Sequence, residues 1–131
     1  METSSNFNTV VDFELSNTGI YRKVLSVLAI NDGKYFVDIR LYFVDGPSER
    51  PTKIGVCLTK EEFENILPYL SEKKPHKIDG HRKISLIIGN SGWLYDLKLT
   101  KADGKESNIT LTFKEMDKIF AFKDEIFKNC I

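Results

Sequence analysis

The sequence predicts an α+β fold of two tandem repeats, each a curved antiparallel sheet of about four strands followed by one helix. Three observations lead there. The stretch Gly33-Lys-Tyr-Phe-Val-Asp-Ile-Arg-Leu-Tyr-Phe-Val-Asp-Gly46 is bounded by glycines and dense in β-branched and aromatic residues, which reads as one long strand. Two capping boxes, Thr59-Lys-Glu-Glu62 and Thr112-Phe-Lys-Glu115, each follow a β-rich run and open a helix. The order of motifs in the first half then recurs in the second.

Taken in order, Asn6 to Ser16 alternates weakly and contains a first strand that ends before Asn17-Thr-Gly19. Tyr21 to Ile30 is a second strand, closed by Asn31-Asp-Gly33, whose residues tolerate the positive φ of a tight hairpin. The Gly33–Gly46 stretch is the third, Asp45 to Pro51 an exposed loop, and Lys53 to Thr59 the fourth strand. Phe63, Ile66, Leu67 and Leu70 follow at helical spacing, with Pro68 expected to bend or shorten that helix. Ser71 to Gly80 is polar and turn-rich, a linker with room for one short strand. The boundary between repeats is set there, giving residues 1–74 and 75–131.

Beyond it the chain restarts. Tyr21-Arg-Lys-Val is answered by His81-Arg-Lys-Ile, Gly33 by Gly92, and Asp38-Ile-Arg-Leu by Asp96-Leu-Lys-Leu. Asp45-Gly is answered by Asp103-Gly, and Val56-Cys-Leu-Thr by Ile109-Thr-Leu-Thr. The second capping box leads into Met116, Ile119, Phe120 and Phe127 on one helix face. Two β-rich halves of unrelated origin would share composition, not this collinear order. Each half has one helix to cover one sheet face, and packing helix against helix would bury what each half leaves exposed, as an intramolecular pseudo-dimer.

Composition limits the function classes. Hydrophobic residues make up 41% and charged residues 29% of the 131, which is globular rather than disordered. The longest apolar runs are strand-length, too short to span a membrane. Met1 to Asn6 has neither a basic start nor an apolar secretory core, so an intracellular protein is expected. Cys57 and Cys130 are unclustered and read as buried reduced thiols. No nucleophile–base pair, glycine-rich phosphate loop or metal-ligand spacing is present, so neither an enzyme nor a cofactor is expected. Net charge is zero, but a neutral total permits a basic face.

Strand alternation sets one arginine among aromatics on such a face. Tyr35, Val37, Ile39, Leu41 and Phe43 share a core face, while Phe36, Asp38, Arg40, Tyr42 and Val44 share the other. Sequence-tolerant binding of single strands needs cations for phosphates and flat rings for bases, and Arg40 between Phe36 and Tyr42 offers both, although the residues alone favour a salt-bridged surface role for Arg40. Lys34, Arg50 and Lys53 extend the positive track. A strand bulge would turn Phe43 outward as well. Tyr35, Trp93 and Tyr95 read as core, and Asp38 and Asp96 as partners of neighbouring basic groups.

From about Phe13 to Leu70 the residues resemble the positive cofactor four transcriptional coactivators and their bacterial and phage relatives. The match rests on Tyr21-Arg-Lys, the Asn-Asp turn, Asp38-Ile-Arg40 followed by aromatics, Lys53-x-Gly55-x-x-Leu58-Thr59, and the Glu-Glu-Phe helix start. The resemblance implies a four-stranded curved sheet with a C-terminal helix, helix-paired dimers, and a grooved surface that takes single-stranded DNA or melted duplex with little sequence preference. By carry-over, Arg40 matches the strand arginine, Phe43 the nearby aromatic, Arg50 and Lys53 the basic loop, and Arg22 and Lys23 a basic pair of the bacterial relatives. Two departures stand out. Ala29, Ile30 and Asn31 occupy the place of a second-strand base-stacking aromatic, and arginine becomes Lys98 in the second half, which loses bidentate geometry. Arg82, Lys83, Lys101 and Lys105 keep the second half basic, so its contribution is read as electrostatic.

The expected partner is single-stranded DNA or RNA, with transcription or replication proteins beside it and no membrane. The expected place is the nucleus or another site of DNA metabolism in a eukaryotic or viral setting, and the cytoplasm in a bacterial one. The chain is expected as a pseudo-dimeric monomer, with further dimerisation left open. The competing expectation is a protein-interaction or structural module that kept the fold and lost nucleic-acid binding, favoured by the zero net charge and by an N-terminal stretch whose charges are Glu2, Asp12 and Glu14.

Overall fold

Strand and helix signals resolve into two sheets and three helices in the computed structural model, which describes residues 8–30, 33–89 and 94–130. Strands β1 (Asn8–Asn17), β2 (Tyr21–Ala29), β3 (Tyr35–Asp45) and β4 (Ser48–Thr59) form an antiparallel sheet in sequence order. Helix α1 (Lys60–Glu72) follows. Strands β5 (His76–Ile78), β6 (Lys83–Ile88), β7 (Leu94–Thr100) and β8 (Glu106–Thr112) form the second antiparallel sheet, followed by α2 (Phe113–Ala121) and α3 (Lys123–Lys128). The class is α+β, and sheet-then-helix occurs twice. The Asn31–Asp32 turn, Gly92 and Trp93 lie outside the described residues.

Both capping boxes form. The Thr59 hydroxyl accepts from the Glu62 N–H at 3.1 Å while Glu62 accepts from the Thr59 N–H at 2.9 Å. Thr112 and Glu115 repeat this at 3.1 and 2.8 Å. Each box satisfies amides that a helix start would otherwise leave open.

Three expectations change. The stretch from Asp45 to Pro51 is not a loop: Asp45 pairs with Ser48 around a tight turn, and Pro51 pairs with Tyr42 inside β4. Gly46, at φ +61°, makes that turn possible. Proline is tolerated because β4 is an edge strand and Pro51 adjoins a register shift. Helix α1 is not shortened by Pro68; it continues to Glu72 and ends on Lys73 in the left-handed region. The second helix is not continuous, because the backbone breaks at Phe122, whose ring stacks on Phe13 of β1 at 4.8 Å. Phe127, read on the same face as Met116, instead reaches Phe63 from the separate helix α3.

One buried cluster runs through both halves. It includes Leu25, Val37, Ile39, Val56 and Leu58 of the first sheet and Leu86, Leu97, Leu99, Ile109 and Leu111 of the second. Phe63, Ile66, Leu70, Met116 and Ile119 of the helices join them. Tyr95 is buried as expected, Tyr35 packs at the margin, and Cys57 is only partly buried where full burial was expected. Among the described residues no helix is long and apolar enough to cross a membrane.

Candidate nucleic-acid interface

Register decides which side chains share a face. Across β2 and β3, Arg22 lies opposite Tyr42, Val24 opposite Arg40, Ser26 opposite Asp38 and Leu28 opposite Phe36. On β1, Asp12 lies opposite Ser26 and Glu14 opposite Val24. The face that alternation marked as basic and aromatic therefore also collects carboxylates, and they are engaged.

Arg40 is held on three sides. Its Nε and NH2 donate to the two Asp38 oxygens at 3.1 and 2.8 Å, and its NH1 donates to the Thr52 carbonyl at 3.0 Å. That carbonyl is within reach because β4 carries extra residues at its register shift, between Gly55 (opposite Arg40) and Pro51 (opposite Tyr42). Arg22 is held likewise: Nε to Glu14 at 2.7 Å and NH1 to Glu49 at 2.7 Å. The Arg22 hydrogen bond keeps the Glu14 carboxyl below its ordinary value. Burial raises the Tyr42 hydroxyl, and burial pushes the Cys57 thiol up to about 11, leaving it protonated and poorly nucleophilic at neutral pH.

Two further cations face the other half of the chain. Lys23 Nζ donates to the Thr110 carbonyl at 2.5 Å and to Glu115 at 2.9 Å. Arg82 NH2 donates to the Cys57 carbonyl at 2.6 Å and lies 3.1 Å from Glu62. In the motif correspondence Thr110 matches Cys57 and Glu115 matches Glu62. Each cation thus reaches the same carbonyl and the same capping-box glutamate, in the opposite half.

A ring pair lies at the end of the first sheet. Tyr21 and Phe43 are paired across β2 and β3, with ring centroids 5.9 Å apart, and the Arg50 guanidinium lies 5.7 Å over the Phe43 ring. Tyr21 is 45% exposed. With Pro51 and Thr52 these groups line a hollow of about 370 Å³ at the end of the sheet. Lys53, in the extra residues of β4, is exposed and has no ion pair among the described residues. At the other end of β3, Lys34 and Phe36 line a second hollow of about 550 Å³ together with Tyr35, Lys60 and Glu61. In the second half Lys101 and Lys105 are exposed beside the Gly104 turn, and Lys98 lies 3.6 Å from Glu106. Lys83 is exposed opposite Thr100.

Tyr21 was absent from the sequence reading of the site. Its signal was available: once β2 and β3 pair antiparallel, the first residue of β2 must face the end of β3. Among the described residues no cluster of His, Cys, Asp and Glu is suited to a metal ion.

Residues 22–68 match the family model of the transcriptional coactivator p15 (PC4), a family of DNA-binding, non-enzymatic coactivators. The matched segment runs from the second residue of β2 through β3 and β4 to Pro68 of α1. No curated protein sequence matches the chain significantly.

Proposed function

With the family match over residues 22–68 as premise, we propose that the chain is a non-catalytic protein that binds single-stranded DNA or RNA largely without sequence preference, in transcription, replication or repair. The observation that carries this reading is the cluster of exposed Tyr21 and Arg50 with half-buried Phe43 around an open hollow. Every base has a π-face, so rings at that position accept any sequence, and Arg50 and Lys53 stand beside them for phosphates. Phe36 and Lys34 extend the surface at the other end of β3, with Lys83, Lys98, Lys101 and Lys105 on the second half. Arg40, Arg22 and Tyr42 set the shape and charge balance of the strand face. In this reading Lys23 and Arg82 fasten the two halves rather than contact the ligand.

The halves, 1–74 and 75–131, are then a duplicated unit closed on itself as a pseudo-dimer. The clamps of Lys23 and Arg82, which reach corresponding acceptors from non-equivalent positions in the two halves, support that arrangement, as does the packing of α1 near α2. The site of action is wherever DNA is transcribed or copied, and transcription or replication proteins are the expected neighbours.

Titrating fluorescent oligothymidylate across a salt series tests the reading. Binding at low salt that weakens as salt rises is expected; absence of binding at low salt sinks it. One observation favours a second reading, a protein-interaction module: Arg22 and Arg40 are already neutralised by Glu14, Glu49 and Asp38. A defined protein partner that oligonucleotides fail to displace would support that alternative.

A further inference from the structure

The first sheet uses its two strand-face arginines internally and keeps only Arg50 and Lys53 near its rings for phosphates, so further cations for the strand are sought on the second sheet. The outward face of the second sheet has them. Register places Lys77 opposite Ser85 and Ser85 opposite Lys98, so two lysines straddle one hydroxyl on three neighbouring strands. In the adjoining row Lys83 lies opposite Thr100. At about 4.8 Å between strands, the Cα atoms of Lys77 and Lys98 stand about 10 Å apart. These five residues line one hollow of about 200 Å³.

The charge there is unbalanced. Lys77 and Lys83 are exposed and make no ion pair among the described residues. Lys98 meets Glu106 at 3.6 Å, beyond hydrogen-bond distance, with the lysine 40% and the glutamate 55% exposed. The other acids nearby are Asp79, which also lines the hollow, and Asp96, which accepts from Asn108 at 2.8 Å. Three ammonium groups and two hydroxyls around one depression offer donors to an anion with several oxygens, against the one Asp79 carboxylate that shares the lining.

We propose that this depression is a phosphate seat, in which Lys77, Lys83 and Lys98 take the backbone oxygens of a bound single strand and Ser85 and Thr100 orient them. The inference rests on the nucleic-acid reading above and names what that reading leaves open, the anchor of the sugar–phosphate chain. Labour is then divided: rings at the end of the first sheet hold bases with Arg50 and Lys53 beside them, and the second sheet adds the main run of phosphate contacts. Lys77 belongs to the stretch that the sequence presents as a linker.

The test uses the full chain in two arms. In the first, oligothymidylate is titrated against wild type and Lys77→Gln/Lys83→Gln across a salt series. Neutralising two phosphate contacts is expected to make the log–log salt slope shallower by about 1.4, from about 0.7 per contact on a single strand. In the second, backbone amide signals of Ser85, Lys98 and Thr100 are followed while inorganic tripolyphosphate or oligothymidylate is added. Both ligands are expected to move them in wild type and to move them less in the variant. If the oligonucleotide binds with an unchanged slope and those signals stay still, the seat is overturned while the single-strand reading stands. If tripolyphosphate moves them but the oligonucleotide does not bind, the seat stands with a free phosphate as its occupant, and the single-strand reading fails. Response to neither ligand overturns the seat.

Discussion

Gly55 shows how one residue can set the shape of the strand face. A Cβ placed there would come 2.7 Å from the Ile39 carbonyl oxygen and 3.0 Å from the Arg40 Cα, both backbone atoms that cannot move aside. The close approach of β4 to β3 at this point leaves Arg40 within reach of Thr52 as well as Asp38. Gly55→Ala is therefore expected to cost about 1–3 kcal/mol, as overpacking does. Denaturant titration checks this through a lower midpoint with an unchanged slope; an unchanged midpoint would mean the strands separate at no cost. Arg40 itself illustrates what one-dimensional reading misses. Alternation put it correctly on the face of Phe36 and Tyr42, but whether it would meet ligand or Asp38 depended on side-chain contacts that alternation does not specify. Tyr21 and Lys77 were missed for a related reason, since each becomes interesting only through its cross-strand neighbours.

Elements are joined across the two halves by charge as well as by apolar packing. Glu115 is 4% exposed and serves both its own helix and Lys23 of β2. Burial works to raise its carboxyl, but the Thr112 N–H and the Lys23 ammonium outweigh burial and hold it below the ordinary 4.5. Because the folded state binds the proton less tightly than the unfolded chain, this carboxylate contributes fully above about 4.5. Its contribution fades as pH falls through the lower, folded-state value. Thermal melts across acidic pH are expected to show this loss, and Glu115→Gln to flatten that limb while losing stability at neutral pH. An unaltered acid limb in the variant would remove Glu115 from the account. Both capping boxes and the strand order of the first sheet were legible in the sequence, because local hydrogen bonding and alternation fix them. The Asp45–Pro51 turn and the break at Phe122 were not. The first hid behind a proline in an edge strand, and the second is where Phe122 stacks on a ring more than a hundred residues earlier in the chain.

At the scale of the whole molecule, a single buried cluster and two opposed clamps make one body from a chain whose second half echoes its first. If the proposed helix-to-helix pairing of the two halves is satisfied within this chain, light scattering should return a species near 15.0 kDa. A stable species of twice that mass would show that α1 and α2 leave an interface unfilled. The proposed division of labour makes the ring pair the element that distinguishes a single-strand binder from a merely charged surface. Oligothymidylate affinity of wild type beside Tyr21→Ala/Phe43→Ala, at one fixed salt concentration, tests this most directly. Base–aromatic stacking is worth about 1–3 kcal/mol per base, so a loss of at least about tenfold is expected. Equal affinity in the two proteins would contradict it.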